Sequence, residues 1–435
     1  MRRILIKKSK KLKGEISVPA DKSISHRALI FSALAEGESN IYNLLFAQDC
    51  ISTMNCLKSL GVEINIGDDF VKVYGRGISG LREPEDILDA GNSGTTMRLL
   101  TGVLSGIPGI FSVMTGDSSL RRRPMGRVVE PLLMMGAEIW GRAHSNLPPL
   151  AINGAKLKGG KHTLKVTSAQ VKSALLLAGI LSDGETWITE PAHSRDHTEL
   201  IFEYLNLPLQ KEGLTLKTHG VDGYKAKDFY IPGDFSSAAF IMAGGLIVEG
   251  SKIIIKNVGL NPTRIGMLEI LKEAGADIKI LRNYELGKES AGDMSVEYSK
   301  ISSFEVSGDI VPRLIDEIPI LAIIATQANG KSVFKNVEEL KVKESDRIKG
   351  IVNGIVKMGG KAEEIESGFV VYGPTKLKGA EIDTFNDHRI AMAFAIAGLV
   401  AEGETILECE SIKISFPNFI SMLQELGGEL VELLS

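Results

Sequence analysis

The strongest constraint on this chain is that it repeats itself. Six times along its 435 residues an Ala-rich, almost wholly apolar stretch of about three turns leads into a short β-branched segment and then an amphipathic stretch. The copies start near His26, Thr96, Val171, Ser237, Pro319 and Arg389, about 70 residues apart. That spacing exceeds the roughly 20–50 residues of solenoid repeats, so each copy is long enough to be a small α/β unit with its own share of a core. A helix apolar on every side is buried on every side. "SKIIIKNV" and "TWITE" read as strands. "MLEILKEAGADI" sets Leu268, Leu271 and Ala274 on one helical face. Buried helices inside strands and outer helices make a layered α/β protein.

A chain of this length divides into two or more domains. Pro232-Gly233 and Val18-Pro19-Ala20 are the natural crossing points. Residues 1–19 plus 233–435 then form one domain of three copies, and residues 20–232 form an inserted domain of three more. Ligands are expected in a cleft between two such halves.

Charge excludes several functions. The 50 Lys and Arg against 54 Asp and Glu leave a net charge of −4, which argues against coating nucleic acid or an anionic membrane. Any anion site must be a local gathering of cations. The cysteines Cys50, Cys56 and Cys409 show no CxxC spacing and no metal-site pattern, so they read as free thiols, the first two on a helix in the core. The start, "MRRILIKKSKKLKGEISV", has no signal-peptide core, and no run approaches a membrane span of about 18 apolar residues. Its Lys-rich part reads as a solvated edge strand. No GxxxxGK[ST] loop is present.

A small-polar or charged cluster precedes each apolar helix: "ADKSISHR", "GNSGTTMR", "VTSAQVK", "PGDFSSA", "VPRLIDEIP" and "TFNDHR". Helix starts expose unpaired N–H groups and partial positive charge, which suit phosphate and carboxylate. Ser, Thr, Asp and Asn also cap helices with no ligand in view. Capping alone does not call for Lys22, Arg27, Arg98, Arg123, Lys172, Arg347 and Arg389 beside the caps. "SSLRRRPMGR" lacks the interleaved aromatics of a nucleic-acid groove and suits a small, multiply charged anion better. "KVKESDRI" reads equally as a solvated, salt-bridged helix start or as part of a site.

These stretches, together with "LDAGNSGTTMRLL", "DKSISHRAL", "RRRPMGR" and "NDHRIAMA" in that setting, resemble the 5-enolpyruvylshikimate-3-phosphate synthases over nearly the whole chain. The resemblance implies two similar domains, each of three βαβαββ-like repeats with buried parallel helices (an inside-out α/β barrel) and an active site in the interdomain cleft. It implies transfer of the enolpyruvyl group of phosphoenolpyruvate to the 5-hydroxyl of shikimate 3-phosphate on the route to chorismate and the aromatic amino acids. No metal, organic cofactor, nucleic acid or membrane partner is implied, and the expectation is a cytoplasmic monomer inhibited by glyphosate. By the same resemblance, Lys22, Gly94, Arg123, Gln170, Arg347, His388, Arg389 and Lys413 face phosphoenolpyruvate. Lys22, Ser23, Arg27, Ser168, Ala169, Gln170, Ser194, Asp316 and Lys343 face shikimate 3-phosphate. Asp316 and Glu344 are the acid–base pair, with Lys22 the other candidate for protonating C3.

The sequence departs from the family pattern in places. Asp21 stands where many members have Ser or Gly, Ala169 where some have a second Ser, Ser194-Arg195-Asp196 where others have Tyr, and Glu339 where others have Asn. Lys413 lies one residue too far from "SFP", which in a strand would flip its side. The sister enzymes that act on UDP-N-acetylglucosamine share the repeats but carry a Cys in the loop that here reads "TGDSSLRRRP". A non-catalytic anion- or nucleic-acid-binding repeat protein, akin to the RNA terminal-phosphate cyclases, would need neither Asp316 nor Glu344 and would tend to be basic.

Overall fold

The computed structural model describes residues 2–433. The chain gathers into two compact units. An inserted unit comprises Ala20–Pro232 and Glu285–Glu289, and a terminal unit comprises the chain up to Pro19, Gly233–Tyr284 and the chain from Ser290. Each has its own hydrophobic core. No helix among the described residues is long and apolar enough to cross a membrane.

In the inserted unit the apolar stretches form the helices Lys22–Leu34, Gly94–Ser105 and Ala169–Ile180. From Ile24 to Leu34 every residue of the first is buried, as an all-apolar helix demands. Asp21, Ser93 and Ser168 cap them by accepting from the N–H groups of Ile24, Thr96 and Val171. The second and third run parallel. Gln170 Nε2 donates to Thr95 Oγ1 at their starts, Gly102 lies against Ala174 midway, and Gly106 lies beside Leu181 at their ends. A Cβ on Gly102 would sit 2.4 Å from the Ala174 carbonyl oxygen, so only glycine permits this approach. The amphipathic stretches form the flanking helices Gln48–Ser59, Gly126–Met134 and His197–Tyr204.

The terminal unit repeats the plan with buried helices Phe235–Ile247, Ile318–Gln327 and His388–Gly398. Asp234 and Asp387 cap the first and third, while the second opens at Glu317 without a side-chain cap and with Pro319 in its first turn. Its outer helices are Gly266–Glu273, Arg347–Lys357 and Phe419–Glu425. Leu268 and Leu271 are buried from the first of these, and Ala274 is buried just past its end.

The described residues form six four-stranded sheets of one design. In Phe229–Tyr230, Glu36–Tyr42, Phe70–Arg76 and Glu63–Ile66, taken in spatial order, the first pair is parallel and the other two are antiparallel. In two of the sheets the parallel pair flanks one core helix: Leu88–Asp89 lies just before the Gly94 helix and pairs Phe111–Thr115 after it, and Lys161–Thr163 and Glu185–Thr189 flank the Ala169 helix in the same way. The Lys-rich start departs from the edge-strand expectation. Arg3–Lys7 is an inner strand between Glu404–Glu408 and Leu430–Leu433, with Ile4 and Ile6 buried. Lys8, Lys10 and Lys11 lie exposed in the link that follows, and only Lys13–Ser17 lies at a sheet edge, beside Lys252–Gly259.

Candidate active site

In the inserted unit the heads of the three core helices are laced together. Lys22 Nζ lies 3.0 Å from Asp49 Oδ2 at the start of the Gln48–Ser59 helix. His26 Nδ1 and Thr53 Oγ1 are 2.6 Å apart, as are Thr53 Oγ1 and Thr96 Oγ1, and Thr96 Oγ1 reaches the cap Ser93 at 2.8 Å. Burial, aided by the charges of Lys22 and Arg27, drives the His26 pKa well down, so this ring is neutral and ends the hydrogen-bond chain through Nδ1. Arg98 donates to Gln170 Oε1. Arg123 donates to Asn92 Oδ1 at 2.8 Å and Ser119 Oγ at 3.3 Å. A Cβ placed on Gly94 would lie 2.8 Å from Arg98 Nη1 and 3.5 Å from Arg123 Nη1, so two guanidinium groups bracket the bare backbone at the head of that helix.

Arg27 is buried beneath this level. It donates to Thr198 Oγ1 and Ser173 Oγ, each at 2.7 Å, and to the Ser23 carbonyl at 2.9 Å. Burial pulls its pKa down to about 10, against the pull of Glu199, Asp21 and Glu289, so it stays charged at neutral pH.

The terminal unit holds a second cluster. Arg347 is fully buried, with Nε 2.8 Å from Asp387 Oδ2, Nη2 2.5 Å from Glu344 Oε2 and Nη1 3.6 Å from Asp316 Oδ1. Arg389 donates Nη1 to the Asp316 carbonyl at 2.9 Å and brings Nη2 to 3.7 Å from Asp316 Oδ2. Asp316 therefore lies between two guanidinium groups, and Glu344 shares one of them. Burial opposes the charge on Arg347, but Asp387, Glu344 and Asp316 outweigh it and its pKa rises. Burial also opposes the charge on Asp387, and Arg347 outweighs it, so that carboxyl titrates below its usual range. Lys343, half-buried, is shifted down by desolvation against the pull of Asp316. Behind Asp316, Arg264 donates to Ser236 Oγ at 2.6 Å and lies 3.4 Å from Asp234 and 3.7 Å from Glu317, while Ser236 donates to Glu317. This buried group anchors the start of the Ile318–Gln327 helix and hence the residue just before Glu317.

Each cluster thus offers helix N-termini, fixed cations and, in the terminal unit, two carboxylates within reach of them. Such an arrangement binds small anions and moves protons beside them. A profile of the family described as EPSP synthase (3-phosphoshikimate 1-carboxyvinyltransferase) matches residues 6–423. The chain belongs to the EPSP synthase family. It is 50% identical over 426 residues to the 3-phosphoshikimate 1-carboxyvinyltransferase of Thermodesulfovibrio yellowstonii, covering 97% of this chain and 99% of that one. It is also 50% identical over 418 residues to the protein of that name from Carboxydothermus hydrogenoformans, covering 96% and 97%. The solved EPSP synthase of Acinetobacter baumannii superposes with a TM-score of 0.90, at 38% identity and full coverage of both chains.

Several residues singled out in the sequence take up settings the sequence did not suggest. Lys172 points inward between Glu190 and Glu199 and is no surface cation for an anion. Ser194 is buried and donates its hydroxyl to Glu190. Lys413 lies on the short 3-10 turn Glu410–Ile414 rather than a strand, so the side-flip expectation does not apply. It is half-exposed and pairs with Glu410 at 3.1 Å. "KVKESDRI" is no solvated helix start at its end, because Arg347 is buried among three carboxylates. Ser168 and Asp21 cap helices. His388 and Arg389 occupy the first positions of their helix, buried.

Sequence reasoning passed over Asp49, Asp387, Glu190, Glu199 and Glu317, the counter-charges that hold the cations, and the buried cation Arg264. Asp387 stood inside the quoted "NDHR" and was legible as a cap. Its second role, as partner of Arg347 from 40 residues away, had no local signal.

Proposed function

We propose that this chain transfers the enolpyruvyl group of phosphoenolpyruvate to the 5-hydroxyl of shikimate 3-phosphate and releases phosphate. The observation that carries the reading is Asp316 held between Arg347 and Arg389, with Glu344 on the same Arg347, in a chain that matches the family almost end to end. The two substrates bring two phosphates and two carboxylates, and fixed cations stabilise charge that moves among them. In this reading Lys22, Gly94, Arg123, Gln170, Arg347, His388, Arg389 and Lys413 serve phosphoenolpyruvate. Lys22, Ser23, Arg27, Ser168, Ala169, Gln170, Ser194, Asp316 and Lys343 serve shikimate 3-phosphate. Ser194 and Lys413 would first have to leave Glu190 and Glu410.

Asp316 accepts the proton of the 5-hydroxyl as that oxygen bonds to C2 of phosphoenolpyruvate. Glu344 or Lys22 delivers a proton to C3, making a methyl group and a tetrahedral adduct. A proton then leaves C3, the C2–O bond to phosphate breaks, and the double bond re-forms. No metal or organic cofactor enters the scheme. The reading extends to the fold: domains of residues 1–19 with 233–435 and of residues 20–232, each an inside-out α/β barrel, with residues of both serving one reaction.

The test is phosphate release with both substrates, against UDP-N-acetylglucosamine in place of shikimate 3-phosphate. Turnover is expected only with shikimate 3-phosphate, and Asp316→Ala and Glu344→Ala should each abolish most of it while the fold persists. Near-normal turnover in either variant removes that residue from the acid–base pair.

A further inference from the structure

One buried ammonium connects most of the inserted unit's shikimate 3-phosphate residues without being able to touch a ligand. The side chain of Lys172 is 1% exposed, with Nζ 2.9 Å from Glu190 Oε2 and 2.7 Å from Glu199 Oε1. These carboxylates bracket the segment 190–199, which carries Ser194 and Arg195. Glu190 accepts from the Ser194 hydroxyl, and the Ser194 carbonyl lies 3.5 Å from Lys172 Nζ. At the other end Glu199 follows Thr198, and Lys172 precedes Ser173. Thr198 and Ser173 hydroxyls are 2.6 Å apart, and each accepts from Arg27 at 2.7 Å. Lys172 is itself one turn beyond Ser168, to whose carbonyl its N–H donates at 3.1 Å.

We infer that Lys172 is a positioning residue: it sets the distance between Ser168–Gln170 at the head of its helix and Ser194 and Arg27 across from them, and so fixes the fit for shikimate 3-phosphate. The inference rests on the functional reading above. The Lys172 ammonium lies between two buried carboxylates, and removing one partner of a buried ion pair is strongly destabilising. These ion pairs therefore tie the backbone of the segment bearing Ser194 to the Ala169–Ile180 helix, while the Ser194 hydroxyl can still turn from Glu190 to a ligand.

The test compares the parent with Lys172→Met and with the charge-neutral triple variant Lys172→Met/Glu190→Gln/Glu199→Gln. It reads thermal unfolding, KM for each substrate from phosphate release, and shikimate 3-phosphate binding by calorimetry. The triple variant is expected to unfold cooperatively, with KM for shikimate 3-phosphate raised about tenfold or more and KM for phosphoenolpyruvate changed less than about threefold. A folded triple variant whose KM for shikimate 3-phosphate stays within about twofold of the parent overturns the proposal, as does an equal rise in both KM values with a lowered midpoint, the mark of a purely structural lysine. Should the triple variant not fold, Glu190→Gln, which leaves Lys172 paired with Glu199, is judged by the same criterion. A parent that releases no phosphate at all refutes the functional reading instead, so the two failures are distinct.

Discussion

Replacing Asp387 should cost the terminal unit more than any other single carboxylate near the proposed site. The residue is fully buried and meets four demands: Arg347 Nε at 2.8 Å, Arg347 Nη2 at 3.4 Å, Ser345 Oγ at 3.0 Å and the backbone N–H of Arg389 at 2.9 Å. Removing one partner of a buried ion pair costs about 3–5 kcal/mol. Here Glu344 and Asp316 remain beside Arg347, which favours the lower end, about 3 kcal/mol. Loss of the helix cap adds about 1 kcal/mol. Asp387→Ala should then lose about 4 kcal/mol, or roughly 8–16 °C in the midpoint of a unit of this size. Asp387→Asn keeps an acceptor for the Arg389 N–H and should lose about 1 kcal/mol less.

The pH dependence has a definite sign. The Asp387 carboxyl titrates below its usual range in the folded chain, so its stabilisation is complete above about pH 4, where the unfolded carboxyl ionises, and fades as pH falls through the folded value. Urea unfolding of the parent and both variants, followed by far-ultraviolet circular dichroism at several pH values, measures both effects. An Asn variant within about 1 kcal/mol of the parent at neutral pH would refute the reasoning. So would a gap that widens in acid.

Gly102→Ala should destabilise by about 1–3 kcal/mol, because the new methyl meets the Ala174 backbone 2.4 Å away and neither helix can yield alone; a raised melting temperature would count against that packing. Gly94→Ala meets side-chain ends rather than backbone, Arg98 Nη1 at 2.8 Å and Arg123 Nη1 at 3.5 Å, so the fold should persist while KM for phosphoenolpyruvate rises about tenfold and glyphosate inhibits less. Equal sensitivity to both compounds would displace Gly94 from the site. His26 should stay neutral, with carbon-13 resonances flat between about pH 5 and 8. Because the unfolded imidazole takes up a proton near pH 6.5 and the folded one does not, His26 adds stability above that pH that is lost as pH falls. A midpoint near its ordinary value would contradict the burial.

Local pattern alone determined a great deal of this protein. Helices apolar on every face have only one place to go, so six buried helices could be read from composition along a few turns. Small polar residues ahead of them predicted caps, and Asp21, Ser93, Ser168, Asp234 and Asp387 serve as such. Long motifs in order named the family. Pairing was another matter. Lys172 looks like Lys22 in a string of letters, yet one is sealed between two glutamates and the other is partly exposed beside Asp49. Arg3–Lys7 looks like an edge strand until Leu430–Leu433 arrives from the far end of the chain to cover it. Whether a charge faces solvent, substrate or a buried partner depends on residues tens to hundreds of positions away. Side-chain periodicity reports which face of an element turns inward, but only the closed fold decides what that face meets.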